Sequence, residues 1–309
     1  MKPRLWMLLI VLLGILSILE RGFYQPQNLL NILLQISIDG ILACGMTLVV
    51  LTGGLDLSIG SVMALSGVVF VMADSYGVWA AGLVAVAAGL VVGVLNGFLI
   101  ARLHLNSLIV TLGAMAAVQG TVLWLSRGYP LPGPGGDFEM PGAGFFAYIP
   151  LPIVYFALVA TACTLLLQFT QLGRNIYAVG GNRRAARIAQ IPIVSCEWSV
   201  YALSAALAAF GGVVLASRLN TGSPIIGQDA PLQAFVAVTL GGTSLSGGKG
   251  GIPQTVLGIL VLGVLSNGLN VLNVPPALQW GVKGSLLILF AALESTPRLW
   301  FTKAAKELA

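Results

Sequence analysis

The stretch VVLTGGLDLSIGS, Val49–Ser61, decides the fold: a hydrophobic run reaches Gly53-Gly54, passes one carboxylate at Asp56 and turns apolar again almost at once. The break therefore lies within an apolar environment. A second interruption, LGGTSLSGGKGG at 240–251, repeats the character, with a glycine pair after an apolar run and then Ser and Gly. Around these two points, apolar runs near twenty residues recur through the chain, each long enough to cross a hydrocarbon core of roughly 30 Å as helix. The 309 residues are 57% hydrophobic and only 8% charged, about a third of the charged fraction of a soluble domain. Composition and run length together predict an all-α, polytopic transmembrane bundle of about ten helices, forming a single domain over 1–309.

Taken in order, segment 1 follows Met1–Arg4, and the absence of a small-x-small cleavage site before Glu20-Arg21 predicts that it stays as an uncleaved helix. Segment 2, about 29–52, carries Gln35 and Asp39 deep in apolar surroundings. Segment 3, about 57–73, is short, with Asp56 placed to cap its first turn. Segment 4, about 78–102, repeats Ala85, Gly89, Gly93 and Gly97 on one face, a stripe that lets another backbone approach closely. Segment 5 covers about 107–126. The Pro- and Gly-rich break RGYPLPGPGGDFEMPGAGFFAYIP then predicts an exposed loop. Segment 6, about 151–169, precedes the most basic loop, about 171–196. Segment 7 spans about 197–217. Segment 8 has only about a dozen residues between Pro231 and Gly242, too few to span alone. Segments 9 and 10 cover about 252–272 and 278–295, and the tail RLWFTKAAKELA is interfacial.

Ten segments place both termini on one side. With the N-terminus cytoplasmic, eleven of the fifteen Lys and Arg residues fall at inside ends, so the positive-inside rule favours cytoplasmic termini and a cytoplasmic 171–196 loop. GVLNG at 93–97 and GVLSNG at 263–268 are alike, and a shift of five segments would relate two inverted halves. That repeat would make the short segments 3 and 8 correspond, though the two glycine pairs do not share its register.

Several chemistries are disfavoured by spacing. GGTSLSGGKGG has Thr243 where a phosphate loop needs Gly, and Gly250 where it needs Ser or Thr after the lysine. The lone His104 has no ligand partner at metal spacing, and Cys44, Cys163 and Cys196 are scattered as packing residues. No Ser/His/Asp or paired-carboxylate constellation is present, so neither catalysis nor a metal site is expected. The net charge of +5 reflects loop bias rather than nucleic-acid binding. Asp39 and Asp56 carry more information, because an ionisable group within a bilayer costs several kcal/mol unless paired, hydrated or neutralised. Asp56 is either a helix cap near the membrane surface or a group that polarises a pathway. In the basic loop, Asn182 can cap a short helix that Pro192 ends, with Arg183, Arg184 and Arg187 on its polar side. That helix is either a topology anchor or a partner-docking element.

Three stretches, ILACGMTLVVLTGGLDLSIGSVMALSG at 41–67, GRNIYAVGGNRRAARIAQI at 173–191 and AVTLGGTSLSGGKG at 237–250, closely resemble the permease subunits of ribose-type ATP-binding-cassette importers of monosaccharides, in the family's order and spacing. The resemblance implies a bacterial inner-membrane permease. Its partners would be an ABC ATPase that uses ATP and Mg, a second permease copy or sister permease, and a periplasmic or lipid-anchored sugar-binding protein. It also gives Gly180, Gly181, Asn182, Ala185, Ala186 and Arg187, together with the adjacent Arg183, the role of docking into the ATPase. Two residues depart from the family: Gln190 stands where a glycine is usual, and Asp39 where a neutral Asn is usual. Pathway or gate candidates are Asp39, Gly53, Gly54, Asp56, Ser58, Asn96, Gly241, Gly242 and Asn267, with Ser61, Gln119 and Asn270 as further polar lining. The competing expectation is an ion-coupled secondary carrier working through Asp39 or Asp56.

Overall fold

The computed structural model describes residues 3–20 and 22–285. It is a helical bundle with two short β-pairings at one end. Among the described residues, six helices are long and apolar enough to cross a membrane: α2 (Pro26–Leu51), α4 (Val78–Ala101), α5 (Ser107–Leu125), α7 (Leu151–Phe169), α10 (Ile193–Leu219) and α12 (Ile252–Val271). The remaining helices are α1 (Pro3–Leu19), α3 (Ile59–Met72), the single turn α6 (Met140–Ala143), α8 (Gln171–Gly181), α9 (Arg183–Ile188), α11 (Ala230–Gly241) and α13 (276–285). Segments 1 to 9 of the sequence reading each have their helix. The far part of segment 10 and the tail fall outside the described residues.

At 1.5 Å per residue, α3 and α11 are only about 21 and 18 Å long, well short of the hydrocarbon thickness. Each is one half of a broken crossing. After α2 ends, residues 52–58 climb back into the bundle, so that α3 begins beside Ser204 in the middle of α10. After α10 ends, residues 220–229 run down along α3 from Gly67 to Gly60, and α11 begins there. The two half-helices meet at their N-terminal ends, where a Cβ on Gly60 would lie 2.2 Å from the Gly227 oxygen and 2.9 Å from Pro231.

This arrangement is the inverted repeat that GVLNG and GVLSNG suggested. The α2–break–α3–α4 unit recurs about 170 residues later as α10–break–α11–α12. In both units the first helix ends at a left-handed residue, Gly53 at φ +83° and Asn220 at φ +47°. The α4 stripe packs antiparallel on α10, with Gly89 against Ala209, Gly93 against Ala205 and Gly97 against Trp198. Its counterpart α12 packs antiparallel on α2, with Gly263 against Ile36 and a 2.7 Å hydrogen bond between the Thr47 and Thr255 hydroxyls.

Two expectations need correction. Residues 126–150 do not form a simple exposed loop. Phe138 is buried and stacks on Phe70 with centroids 4.3 Å apart, Leu131-Pro132 pairs with Thr221-Gly222, and the Ser217 hydroxyl donates to the Phe138 carbonyl while accepting from the Gly142 amide. The aromatic and the pairing fold this stretch into a cover over the α10–α11 break. The 171–196 loop likewise holds two helices. Thr170 caps α8, its hydroxyl accepting from the Gly173 amide at 3.1 Å, and Gly180 and Gly181 are therefore the last turn of α8 rather than loop.

Candidate functional site

The three glycine-rich stretches, far apart in sequence, meet at one end of the bundle. The α2 end is closed by a pair of bonds in which the Gly53 amide donates to Val50 O and the Gly54 amide to Val49 O. This is the hydrogen-bond pattern of a helix terminated by one left-handed residue, which only Gly adopts without strain. At α11 the same pattern recurs, with Gly242 at φ +91° donating to Thr239 O and the Thr243 amide donating to Val238 O. Gly54 is needed for space, since a Cβ there would sit 2.4 Å from the Tyr201 hydroxyl. Gly241 has the same function against α12, where a Cβ would meet the Gln254 oxygen at 2.4 Å.

The loop after α11 then reaches across to α2: the Gly248 amide donates to Leu51 O at 2.9 Å. Gly180 lies against both partners of that bond, its added Cβ being 1.8 Å from Leu51 O and 2.6 Å from the Gly248 nitrogen. Tyr177, one turn earlier on α8, donates its hydroxyl to Gly250 O at 2.9 Å, and partial burial raises its pKa, which keeps the phenol a donor. The Gly53-Gly54 break and the 240–251 motif thus share one face of the bundle. Residues 220–241 complete the crossing even though only their second half is helix.

Helix α9 hangs from this junction. The Asn182 side chain accepts from the Ala185 amide at 3.0 Å, as the sequence predicted. The helix ends at Ile188, earlier than Pro192 would dictate, because Gln190 turns left-handed at φ +57° and the Gln190 and Ile191 amides donate back to Arg187 O and Ala186 O. Of the docking residues, Ala186 is buried against the bundle and Arg187, although exposed, lines a cavity with Gly53, Glu197 and Tyr201, while the neighbouring Arg184 and Ile188 are exposed. Arg183 instead turns inward, donating to Glu197 Oε2 at 3.0 Å. Glu197, buried at the start of α10, is a residue that sequence reasoning missed. Its position one turn after Pro192, where a carboxylate begins an apolar helix, was the available signal.

Asp56 is neither the N-cap of α3, which is Ser58, nor near the surface. Its Oδ1 accepts from the Ser58 amide at 3.1 Å and the Ser58 hydroxyl at 2.6 Å, and its Oδ2 accepts from the Ser204 hydroxyl at 3.0 Å. Asn96 completes the cluster by donating to the Ser58 hydroxyl at 3.0 Å. The carboxylate ties α3, α4 and α10 together at mid-bundle, and Ser204 is its unforeseen partner. The remaining polar candidates also have protein partners. Gln119 donates to Pro224 O at 2.7 Å, satisfying the non-helical segment before α11. Asn267 exchanges two bonds with Asn28, Asn270 accepts from Gln279, and Ser61 donates to Ser58 O. Asp39 stands apart from these clusters and lines a cavity between α2, α11, α12 and α13.

Helices broken at mid-bundle, paired by an inverted repeat, define a membrane transporter fold. A family model described as "Branched-chain amino acid transport system / permease component" matches residues 28–291. The ribose import permease protein RbsC of Bacillus subtilis (strain 168) is 40% identical over 300 residues, covering 93% of this chain and 90% of that protein. RbsC of Escherichia coli (strain K12) is 38% identical over 304 residues, with 96% and 94% covered. The L-arabinose transport system permease protein AraH of Escherichia coli (strain K12) is 38% identical over 283 residues, with 90% and 84% covered. No solved structure matches. The chain belongs to this family and is a multi-pass permease subunit of an ATP-binding-cassette importer. ATP hydrolysis accordingly resides in a separate ATPase subunit, and a substrate-binding partner completes the system. The relatives lend no support to an ion-coupled carrier.

Proposed function

We propose that this chain carries a monosaccharide across a bacterial inner membrane by alternating access, driven by an ABC ATPase that binds ATP and Mg and docks on α8–α9. The observation that carries the reading is the glycine junction: Gly180 packs against Leu51 O and Gly248 N, so a push on α8 reaches both the α2 break and the α11–α12 loop without an intervening flexible side chain. Gly181, Asn182, Arg183, Ala185, Ala186 and Arg187 make up the docking element, and its exposed neighbours Arg184 and Ile188 suit an acidic groove with an apolar floor. The junction end is then cytoplasmic, as are both termini, and the Phe138 cover faces the periplasm and the sugar-binding protein. Exposed apolar side chains such as Leu83, Ile109 and Leu158 meet lipid or a second permease, either another copy or a sister subunit, which completes the channel. Gly53, Gly54, Asp56, Ser58, Asn96, Gly241 and Gly242 form the hinge and gate of each half, with Asn267 fixing α12 to α2.

A neutral polar solute matches the small number of ionisable groups, because hydroxyls find partners in Ser, Asn and Gln without a fixed counter-charge. The reading is tested by reconstituting the permease with its ATPase and binding protein and measuring uptake of D-ribose and L-arabinose. Replacing the nucleotide-binding lysine of the ATPase abolishes uptake if the reading is right, and undiminished uptake would sink it.

A further inference from the structure

A polar cavity of about 360 Å³ lies where α9 meets the bundle, between α9, the first turns of α10, the Gly53-Gly54 break and the 102–106 connection from α4 to α5. That volume falls at the lower end of the range for small-molecule sites. Its charges are unbalanced. Among the described residues, Glu197 is the one carboxylate of the lining, and Arg183 neutralises it by a two-pronged ion pair, with Nη2 donating to Oε2 at 3.0 Å and Nη1 facing Oε1. Arg187 lines the same cavity and makes no ion pair or side-chain hydrogen bond among the described residues. A guanidinium thus faces polar space beside an already neutral pair.

Two further donors reach the cavity. His104 brings a ring N–H, which an imidazole keeps in either protonation state, and it arrives on a left-handed turn, φ +56°, that disfavours any L-residue. The other donor is the start of α5. Asn106 caps that helix by accepting from the Leu108 amide at 2.9 Å. The Ser107 amide, first in the helix, is left with no intrahelical acceptor, and the positive end of the helix dipole lies at the cavity. Donors from three directions suit a tetrahedral oxyanion better than a flat carboxylate, and a guanidinium and a helix N-terminus are both favourable partners for phosphate. We propose that this cavity binds the phosphate group of a soluble phosphomonoester or of an anionic lipid, with Arg187, His104 and the Ser107 amide as its donors. Leu103, Leu105 and Leu108 are exposed around the 102–106 connection and offer a path for acyl chains, while the importer reading above, on which the sidedness rests, opens the cavity to cytoplasmic phosphate compounds. Bound phosphate ties α9 to the start of α5 and so holds the docking helix beside the Gly53-Gly54 break.

The test titrates the purified full-length chain in detergent with radiolabelled inorganic phosphate at constant ionic strength. Saturable binding at a single site per chain is the expected result. Arg187→Ala weakens it by about tenfold or more, whereas Arg184→Ala, on the same helix but outside the cavity, leaves it unchanged. His104→Gly separates binding from stability, because glycine takes φ +56° without strain: the variant melts at or above the parent while binding phosphate about fivefold more weakly. Absence of saturable binding, or equal losses for Arg184→Ala and Arg187→Ala, overturns the site and leaves only diffuse surface charge. Competition then assigns the source. Displacement of the label at the lower concentration by short-chain phosphatidylglycerol identifies a lipid headgroup, and by D-ribose 5-phosphate a soluble phosphomonoester; failure of both to displace it overturns the proposal. Binding is read without transport, so failure of the importer reading would leave the site itself standing and remove only its cytoplasmic placement.

Discussion

Gly180 and Gly181 are neighbours at the end of α8, and the same substitution to alanine separates them sharply. At Gly180 the added methyl would sit 1.8 Å from Leu51 O, 2.6 Å from Gly248 N and 2.9 Å from Leu51 C. All three are backbone atoms, so no rotamer change relieves the clash. Overpacking of this kind costs about 1–3 kcal/mol. Opening the gap also breaks the 2.9 Å Gly248–Leu51 bond, a buried neutral hydrogen bond worth about 1 kcal/mol. Gly180→Ala therefore destabilises by about 2–4 kcal/mol. At Gly181 nothing lies within 4 Å, and Ala gains up to about 1 kcal/mol of helix propensity. Thermal unfolding of the detergent-purified chain and sugar uptake by the reconstituted complex read the difference. Gly180→Ala melts lower and loses uptake, whereas Gly181→Ala melts at or above the parent. Equal melting and equal uptake for the two variants would refute the junction as a rigid backbone contact.

Three further predictions concern separate parts of the chain. Gln190→Gly relieves a left-handed residue at the end of α9, raising stability of that turn by about 1 kcal/mol, visible as slower amide exchange at Ile191. Asp56→Asn removes charge-assisted bonds from Ser58 and Ser204 and costs about 2 kcal/mol in chemical denaturation; an unchanged midpoint would mean that the carboxyl is protonated in place. Phe138→Ala removes a buried ring stacked on Phe70 and lowers stability by about 3–4 kcal/mol, whereas a merely exposed loop would tolerate it.

The spanning helices were legible because run length and hydrophobicity depend on the bilayer alone. Both glycine pairs were legible for a related reason: Gly53-Gly54 and Gly241-Gly242 are the residues that a left-handed helix end and a close helix approach require, whatever the fold around them. What stayed hidden depended on tertiary partners. Asp56 reads as a cap from its spacing, and only the climb of residues 52–58 into the bundle places it against Ser204. Asn220 ends α10 as Gly53 ends α2, yet an Asn after Arg218 and Leu219 carries no signal as strong as a glycine pair. Helix α8 was overlooked because Gly173, Gly180 and Gly181 weaken its propensity; its stability comes from packing Ile176 and Val179 into the bundle. The Phe138 cover was obscured by Pro and Gly, which do mark turns but say nothing of a buried aromatic between them.

The inverted repeat gives the two breaks different mechanical roles. Near α9 the contacts run in series: Arg183 holds Glu197, Tyr201 lies one helical turn further along α10, and its hydroxyl contacts Gly54 and donates to Leu55 O at 3.4 Å. Three residues beyond Tyr201, Ser204 holds Asp56. A displacement of α9 therefore reaches the start of α3 along a single rigid helix, α10, while α8 moves the α2 end directly through Gly180. The two routes converge on residues 52–58, the short non-helical stretch between them. Among the described residues, the 220–229 break at the opposite face has no comparable lever; it is clamped by Gln119, the pairing of Leu131-Pro132 with Thr221-Gly222 and the Phe138 cover. Motion delivered at the junction would thus bend the Gly53–Ser58 break first, and the far break would follow through α3, against which it lies from Gly67, beside Gly222, to Gly60, beside Gly227. That backbone contact along α3 joins the two halves of the repeat at mid-bundle.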